Sequence, residues 1–444
     1  MGGSLTIARA AAREHATYDL RTIGWPLGAT VLAASSGLRL AGLRNKGFDL
    51  LLKAHHLRLS AGIDQRIVRT VAEATALERS GRATGLWSLY DEAVNAAVAD
   101  FRKSPGAGAK RFIGSRILVI KSATPQERGV IVVDYQYVFP LMAGLFNLSA
   151  ICERYDLVLE PSWADVCAPE ILLFTKQERP VYVQTIEPRD QGVLSALNSN
   201  LRAVPLAANW WVDPRHTPEP IGARDIDVIM VAAWADIKRH WRVFRALADL
   251  RRRGHRLKTV LVGYRYDRTR EEIEGLAGYF GIRDQVETYE RISQNEVAAL
   301  LARSKVHVLW SRRECANRAV IEAMIADVPV IVREGLTFGH RYPYINEHTG
   351  RFVPERGLAD AILEVIDTRS GFSPREWVLS NMTCVHATQV LQRSLQEARR
   401  AHGEPWYEDI ALKASSLDTQ RYYHPEDAGR FEADYTFLDS QFLR

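Results

Sequence analysis

Lys305-Val306-His307-Val308-Leu309-Trp310-Ser311-Arg312-Arg313-Glu314-Cys315-Ala316-Asn317-Arg318-Ala319-Val320-Ile321-Glu322-Ala323-Met324 reads as a strand, a loop and a helix in succession. Residues 305–310 are an apolar-rich run of strand length bounded by a polar cluster. Residues 319–326 place apolar side chains three and four apart, as a helix does. Val328-Pro329-Val330-Ile331-Val332 follows as another strand. Strand, helix and strand within about thirty residues form the repeating unit of a parallel α/β sheet.

The same alternation runs upstream. Strands are expected at 227–231, 258–263 and 285–289, with helices at 241–252, 270–280 and 293–302. Ser293 and Glu296 have the spacing of a capping box at the start of the last of these. Pro214, Pro218 and Pro220 precede this block and read as an interdomain linker, a hinge over residues 214–224. Before it, residues 116–120, 129–133, 156–159 and 180–183 are apolar on both faces, like buried parallel strands. The first hundred residues are rich in Ala, Leu, Arg and Glu, and 64–77 and 87–101 carry helical spacing. Ser104-Pro105-Gly106-Ala107-Gly108 breaks that pattern. The expected organisation is a helical region (1–108), a first Rossmann-like domain (112–215), a second (225–370) and a helical tail that packs back (373–444). Two open sheets joined by a hinge imply a cleft, with ligands at the C-terminal ends of the strands.

Length and composition fit a multidomain globular protein: 444 residues, 47% hydrophobic and 25% charged. The 58 basic and 53 acidic residues leave a small positive excess. No basic tract interleaved with aromatics suggests a nucleic-acid partner. The densest run, Arg251 to Lys258, falls where a helix ends, and cations suit that end. Cys152, Cys167, Cys315 and Cys384 are too scattered for a zinc site or a disulfide framework, and fit a reducing compartment as small buried side chains. Residues 23–43 are long enough to span a bilayer but carry Arg39, Pro26 and several glycines. They read as a packed or membrane-surface element, with a true span as the alternative.

Chemistry concentrates in the opening segment. Glu314 lies in the strand-to-helix loop, and Glu322 lies about one turn into the helix. A carboxylate near a helix start can accept two hydrogen bonds from a vicinal diol such as ribose. The unpaired amides there suit a diphosphate. The strand at 227–231 leads into Ala232-Ala233-Trp234-Ala235-Asp236-Ile237-Lys238-Arg239. That places two cations in the loop after the first strand of this block.

Glu, seven residues and Glu at a strand–loop–helix junction, with the downstream Ala323-Met324 and residues 328–331, resembles the family 4 glycosyltransferases, retaining enzymes of the GT-B fold. The resemblance covers residues 225–355 well and 112–215 only in texture. It implies a GT-B type α/β fold, two Rossmann-like domains facing a cleft, here with an extra N-terminal helical region. It implies Glu314 against the donor sugar and Glu322 on the ribose, with the amides of Ala316, Asn317 and Arg318 facing the diphosphate. Lys238 matches the family's phosphate-binding lysine. Ala233 stands where an arginine is usual, and adjacent Arg239 is the candidate replacement. Gly263 would let the nucleotide approach a strand end. Residues 290–293 would border the base, and residues 335–339 would fold beside the sugar. Residues 342–353 resemble the family's closing turn and strand. The first-domain histidine of the family is missing between residues 112 and 215, and Gln136, Tyr137, Gln184 and Glu187 are the candidate substitutes.

The implied reaction moves a sugar from a nucleoside-diphosphate sugar to an acceptor hydroxyl with retention, Glu314 and Lys238 taking the catalytic roles. No metal or other cofactor is expected, since cationic side chains and amides can carry the leaving-group charge. The acceptor is a glycan, a lipid-linked molecule or a small molecule, as in bacterial polysaccharide biosynthesis. The expected location is cytoplasmic, peripheral to the inner face of the membrane if residues 23–43 touch it. Two other readings stay open. One is a GT-B relative such as an epimerase or phosphorylase. The other is a catalytically degenerate GT-B domain that binds nucleotide sugar or scaffolds an assembly.

Overall fold

Apolar runs of strand and helix length build two separate cores in the computed structural model, which describes residues 7, 24–56, 61–104, 108–162, 166–185, 187–217, 223–336, 342–415 and 419–443. Arg21–Trp211 with Cys384–Arg444 forms one compact unit, and Val212–Thr383 lies in the other. The chain opens with helices α1 (Gly24–Leu40), α2 (Arg44–His56), α3 (Ala61–Arg79) and α4 (Leu86–Arg102). Phe48, Leu51, Ile63, Ile67 and Tyr90 from these helices share a core with Leu118, Val132 and Leu157 of the first sheet. The helical region is therefore a layer of the first unit. Among the described residues no helix is long and apolar enough to cross a membrane.

The first sheet has the order β1-β2-β3-β4-β5. Its strands are β1 (Ile117–Lys121), β2 (Gly129–Asp134), β3 (Tyr155–Glu160), β4 (Val181–Gln184) and β5 (Leu201–Val204). Helices α5 (Phe139–Leu145), α6 (Leu148–Arg154), α7 (Pro169–Leu172) and α8 (Pro188–Ala196) connect the strands from β2 onward. Those strands run parallel, but β1 pairs antiparallel with β2, which corrects the all-parallel expectation. The cause is loop length. Only residues 122–128 join β1 to β2, and a parallel crossover needs about a dozen residues or more. β5 escaped the sequence reading because it is a short edge strand with Arg202 exposed.

The second sheet contains β6 (Ile226–Val231), β7 (Thr259–Gly263), β8 (Val286–Glu290), β9 (Ser304–Leu309), β10 (Val330–Arg333) and β11 (Gly350–Val353). Its helices are α9 (His240–Arg252), α10 (Arg270–Tyr279), α11 (Gln294–Ala302), α12 (Arg318–Ile325), α13 (Leu358–Asp367) and α14 (Pro374–Asn381). All six strands are parallel, in the order β11-β10-β9-β6-β7-β8. This is the doubly wound dinucleotide-binding order, and its direction reverses between β6 and β9. Local chemistry sets the helix starts. Thr269 with Glu272 and Ser293 with Glu296 form complete capping boxes at α10 and α11. The basic run that ends α9 is exposed through Arg256 and paired outward, Arg251 and Arg256 to Asp284 and Arg253 to Asp360. In the expected linker Pro214–His216 is a 3-10 turn capped by Asp213. Pro218 and Pro220 lie outside the described residues.

The tail rejoins the first unit through α15 (Cys384–Ala401), β12 (Lys413–Ser415), β13 (Gln420–Tyr422) and α16 (Glu432–Ser440). The expectation of helices alone is corrected by the antiparallel β12–β13 pair, whose three-residue strands are too short to show a period. Tail cations neutralise buried acids of the sheet and of its β1–β2 loop. Arg399 binds Asp156 and Glu127, and Lys413 binds Glu160. All four cysteines are buried, and none is in a disulfide. The α/β class is the one expected, with two Rossmann-like units and an extra N-terminal helical region.

Candidate functional site

The site assembles where the second sheet reverses direction. β6 runs into the 3-10 turn Asp236–Lys238, and β9 runs into the loop that opens α12. The Arg312 amide donates to the Ile237 carbonyl at 2.8 Å, stitching the two loops together. On that seam the Lys238 ammonium donates to the Glu314 carboxylate. Ser311 Oγ donates to the same carboxylate oxygen at 2.7 Å. Lys238 and Glu314 are both buried. A charge pair in such a place must hold its partner or suffer a large desolvation cost.

Asn317 starts the helix. Its side chain accepts the Val320 amide at 3.1 Å, taking up one of the amides that a helix start leaves without an intrahelical acceptor. Ala316 and Arg318 flank it, half-buried. Glu322 is the fifth residue of α12 and is buried, with Gln294 Nε2 of α11 donating to it at 3.4 Å. Burial pushes its carboxyl above the ordinary range, and Arg318 and the Gln294 hydrogen bond pull the other way. The structure thus brings Lys238 onto Glu314 and sets Glu322 on the helix that Glu314's loop opens.

Arg239 takes a different position. It is buried in the left-handed region at φ 59°, and its guanidinium grips Glu355 at 2.8 and 2.9 Å. Gly263 is used for packing. A Cβ there would meet the Ala232 carbonyl at 2.3 Å and the Trp234 indole nitrogen at 2.6 Å. Arg291, in the stretch expected beside the base, also has positive φ, at 52°, and its amide donates to the Gly263 carbonyl at 2.9 Å. Of residues 335–339, Thr337, Phe338 and Gly339 lie outside the described residues.

Several contributors escaped the sequence reading. Arg333, at the end of β10, is buried and donates to the carbonyls of Ser311, Arg312 and Gly335 at 3.0–3.1 Å, bracing the Glu314 loop. Tyr342 Oη donates to the Cys315 carbonyl at 2.5 Å and stacks on Tyr344 at 4.8 Å. His240, first residue of α9, is buried, and its pKa falls to about 3 through desolvation, then the charges of Lys238 and Arg268. It is therefore a neutral neighbour of the lysine. The capped start of α11 pointed toward Gln294, but nothing in the local sequence marks Arg333 or Glu355 as buried partners.

In the first unit the substitutes for the missing histidine are mostly held by the fold. Gln184 Oε1 accepts from the Trp211 indole at 3.1 Å, and its Nε2 donates to Glu160 at 3.3 Å. Gln136 accepts the Ser162 amide at 3.2 Å. Glu187 sits at the start of α8. Tyr137 is 53% exposed, with the Arg116 guanidinium 5.8 Å from its ring centroid.

No curated protein matches the chain in sequence. Among solved structures it is similar to sucrose-phosphate synthase from Thermosynechococcus elongatus, at 17% identity over 62% of this chain and 74% of that one, with a TM-score of 0.46. It is also similar to S. aureus TarM in complex with fondaparinux, alpha-GlcNAc-glycerol and UDP, at 14% identity over 60% of this chain, with a TM-score of 0.47. There it spans 54% of the other protein's length. A third similar structure is Anabaena Alr3699/HepE in complex with UDP and glucose, at 15% identity over 61% of this chain and 78% of that one, with a TM-score of 0.44. In sequence, the family model for Glycosyl transferases group 1 matches residues 215–372, the stretch that carries the second sheet and both loops of the site.

Proposed function

We propose that the chain is a nucleotide-sugar-dependent glycosyltransferase that moves a sugar from a nucleoside diphosphate to an acceptor hydroxyl with retention of configuration. One observation carries the reading: the buried Lys238–Glu314 pair lies at the sheet's reversal point, inside the stretch that matches the transferase family. The leaving group is an anionic diphosphate, and its departure needs fixed positive charge and aligned amides. Lys238 and the start of α12 supply both in this reading. Glu322 accepts the ribose hydroxyls, and Glu314 faces the sugar once the diphosphate draws Lys238 toward itself. Arg239, held by Glu355, positions the turn that presents Lys238, and its own contact with phosphate requires release from that pair. The amides of Ala316 to Arg318 complete the diphosphate cradle, and Gly263 acts through packing of the neighbouring strand end. No divalent ion has a part. The acceptor is a glycan, a lipid-linked molecule or a small molecule at the cytoplasmic face of a membrane. Incubating the protein with candidate nucleotide sugars and following nucleotide release, with the anomeric configuration of the product read by NMR, tests the reading. An inverted product removes the retaining assignment, and failure of every donor to be consumed removes catalysis.

Ala233 in the usual arginine position and the engagement of Arg239 by Glu355 favour a second reading, a degenerate domain that binds nucleotide sugar without turning it over. Tight nucleotide binding with neither transfer nor donor hydrolysis is the outcome that selects it.

A further inference from the structure

Helix α1 departs from the rule that a surface helix turns its polar side to water. At about 100° per residue, Trp25, Ala29, Ala33 and Leu40 fall within one quadrant, and all are exposed. Trp25 is 78% and Leu40 86% exposed, and Leu43 in the following turn is 44% exposed. The opposite side is committed to the fold. Ser35 Oγ donates to the Gly47 carbonyl at 2.8 Å, and a Cβ on Gly47 would meet the Ser35 carbonyl at 2.8 Å, so α1 lies directly on α2. The outward face is apolar and has no protein covering it among the described residues.

Charge says what covers it. From residue 24 to residue 48 the ionisable side chains are Arg39, Arg44 and Lys46, all basic and all exposed. Arg39 and Arg44, with Arg66 and Glu73 of α3, also line a groove of about 470 Å³ beside Leu40, three cations against one acid. An outward face that is apolar apart from Thr30 and Arg39, with an exposed tryptophan at one end and a cluster of cations at the other, suits a lipid interface, where aromatic rings and basic side chains sit at the headgroups. Over its described residues the helix is not long and apolar enough to cross.

We propose that α1 and the turn after it lie on an anionic lipid bilayer, with Trp25, Leu40 and Leu43 at the acyl boundary and Arg39, Arg44 and Lys46 on headgroup phosphates. This surface is separate from the sugar-nucleotide reading and does not depend on it. The test is sedimentation of the full chain with vesicles of phosphatidylglycerol and phosphatidylcholine, against phosphatidylcholine alone, at low and high salt. Binding is expected to the anionic vesicles only and to weaken as salt rises. The double variant Arg39→Glu, Arg44→Glu is expected to bind on the order of tenfold more weakly, and Leu40→Asp to lose binding. These side chains are exposed, so thermal midpoints should match wild type. Absence of binding to anionic vesicles overturns the proposal, as does unchanged binding by both variants. Self-association that Leu40→Asp abolishes, without vesicle binding, overturns it in favour of a second copy on this face. Stabilisation of the same preparation by UDP, GDP or ADP reports on the donor site alone, so the two readings fail separately.

Discussion

Lys238, Glu314 and Glu322 divide the proposed recognition into parts that mutation can separate. Glu322 is assigned to the ribose, so Glu322→Ala should weaken nucleoside and nucleoside diphosphate alike, by about tenfold or more for loss of hydrogen bonds to a charged group. Titration calorimetry with both ligands checks this, and wild-type affinity for the nucleoside removes the assignment. Lys238 is assigned to the diphosphate. Lys238→Met alone strands the buried Glu314 carboxylate, at a cost of roughly 3–5 kcal/mol. Pairing it with Glu314→Gln should restore most of that stability. The folded double variant should keep nucleoside affinity and lose about tenfold or more for the diphosphate. His307 offers a test of the core beneath the site. It is fully buried in β9, neither ring nitrogen has a hydrogen-bond partner, and desolvation lowers its pKa to about 3. Because the folded pKa lies below the unfolded one, its contribution is intact above pH about 6.5 and is lost as pH falls toward 3. His240 shifts in the same direction. His307→Leu should raise stability by about 1–2 kcal/mol at neutral pH and flatten the decline below pH 6, measured by urea unfolding across that range.

Elements whose sequence carries period and punctuation were legible. Apolar strand runs, the capping box of α11 and the loop–helix junction at 311–324 all lie within a residue or two of their reading, because each is fixed by neighbours in the chain. What depends on distant partners was not. The antiparallel turn of β1 follows from loop length, and β12 and β13 exist through their pairing with each other. Glu314 and Lys238 could be picked out as candidates, but their contact rests on the adjacency of β6 and β9, which are far apart in sequence. Arg239 and Arg333 are arginines that the fold buries against Glu355 and against backbone carbonyls, and surface lysines and arginines look the same in one dimension. Gly263 shows how an element can forbid what a motif suggests. A strand-end glycine reads as room for a ligand, yet the room is filled by the Ala232 carbonyl and the Trp234 ring. Gly263→Ala should therefore cost about 1–3 kcal/mol through overpacking, seen in thermal melts. A neutral result would mean that β6 and β7 sit further apart than described.

The chain passes from the first unit to the second and back, and the two passages differ in what they carry. The return at residues 383–384 delivers α15, β12, β13 and α16 to a sheet that begins more than two hundred residues earlier. Arg399 and Lys413 are both buried, and they face Glu127, Asp156 and Glu160, also buried. Removing the tail would leave Glu160 with no cation and Glu127 and Asp156 with only Lys121 and Arg128, the loss of a buried partner costing several kcal/mol. Against a typical total of about 5–15 kcal/mol, that suffices to unfold the first unit. The second unit has no such debt. Its six strands, its helices and the buried residues of its apolar cluster are drawn from residues 212–383, with Ile7 packed against that cluster, and Lys238, Glu314 and Glu322 come from the same stretch. Two truncations test this asymmetry. A chain ending at Thr383 should lose the cooperative transition of the first unit, while residues 212–383 expressed alone should melt as one unit and be stabilised by a nucleoside diphosphate. With ligand at a hundred times its Kd, that stabilisation is about 2.7 kcal/mol. If the isolated segment folds and no nucleoside diphosphate shifts its midpoint, the site drawn from its two loops does not bind nucleotide by itself, and the assignment of those three side chains falls with it.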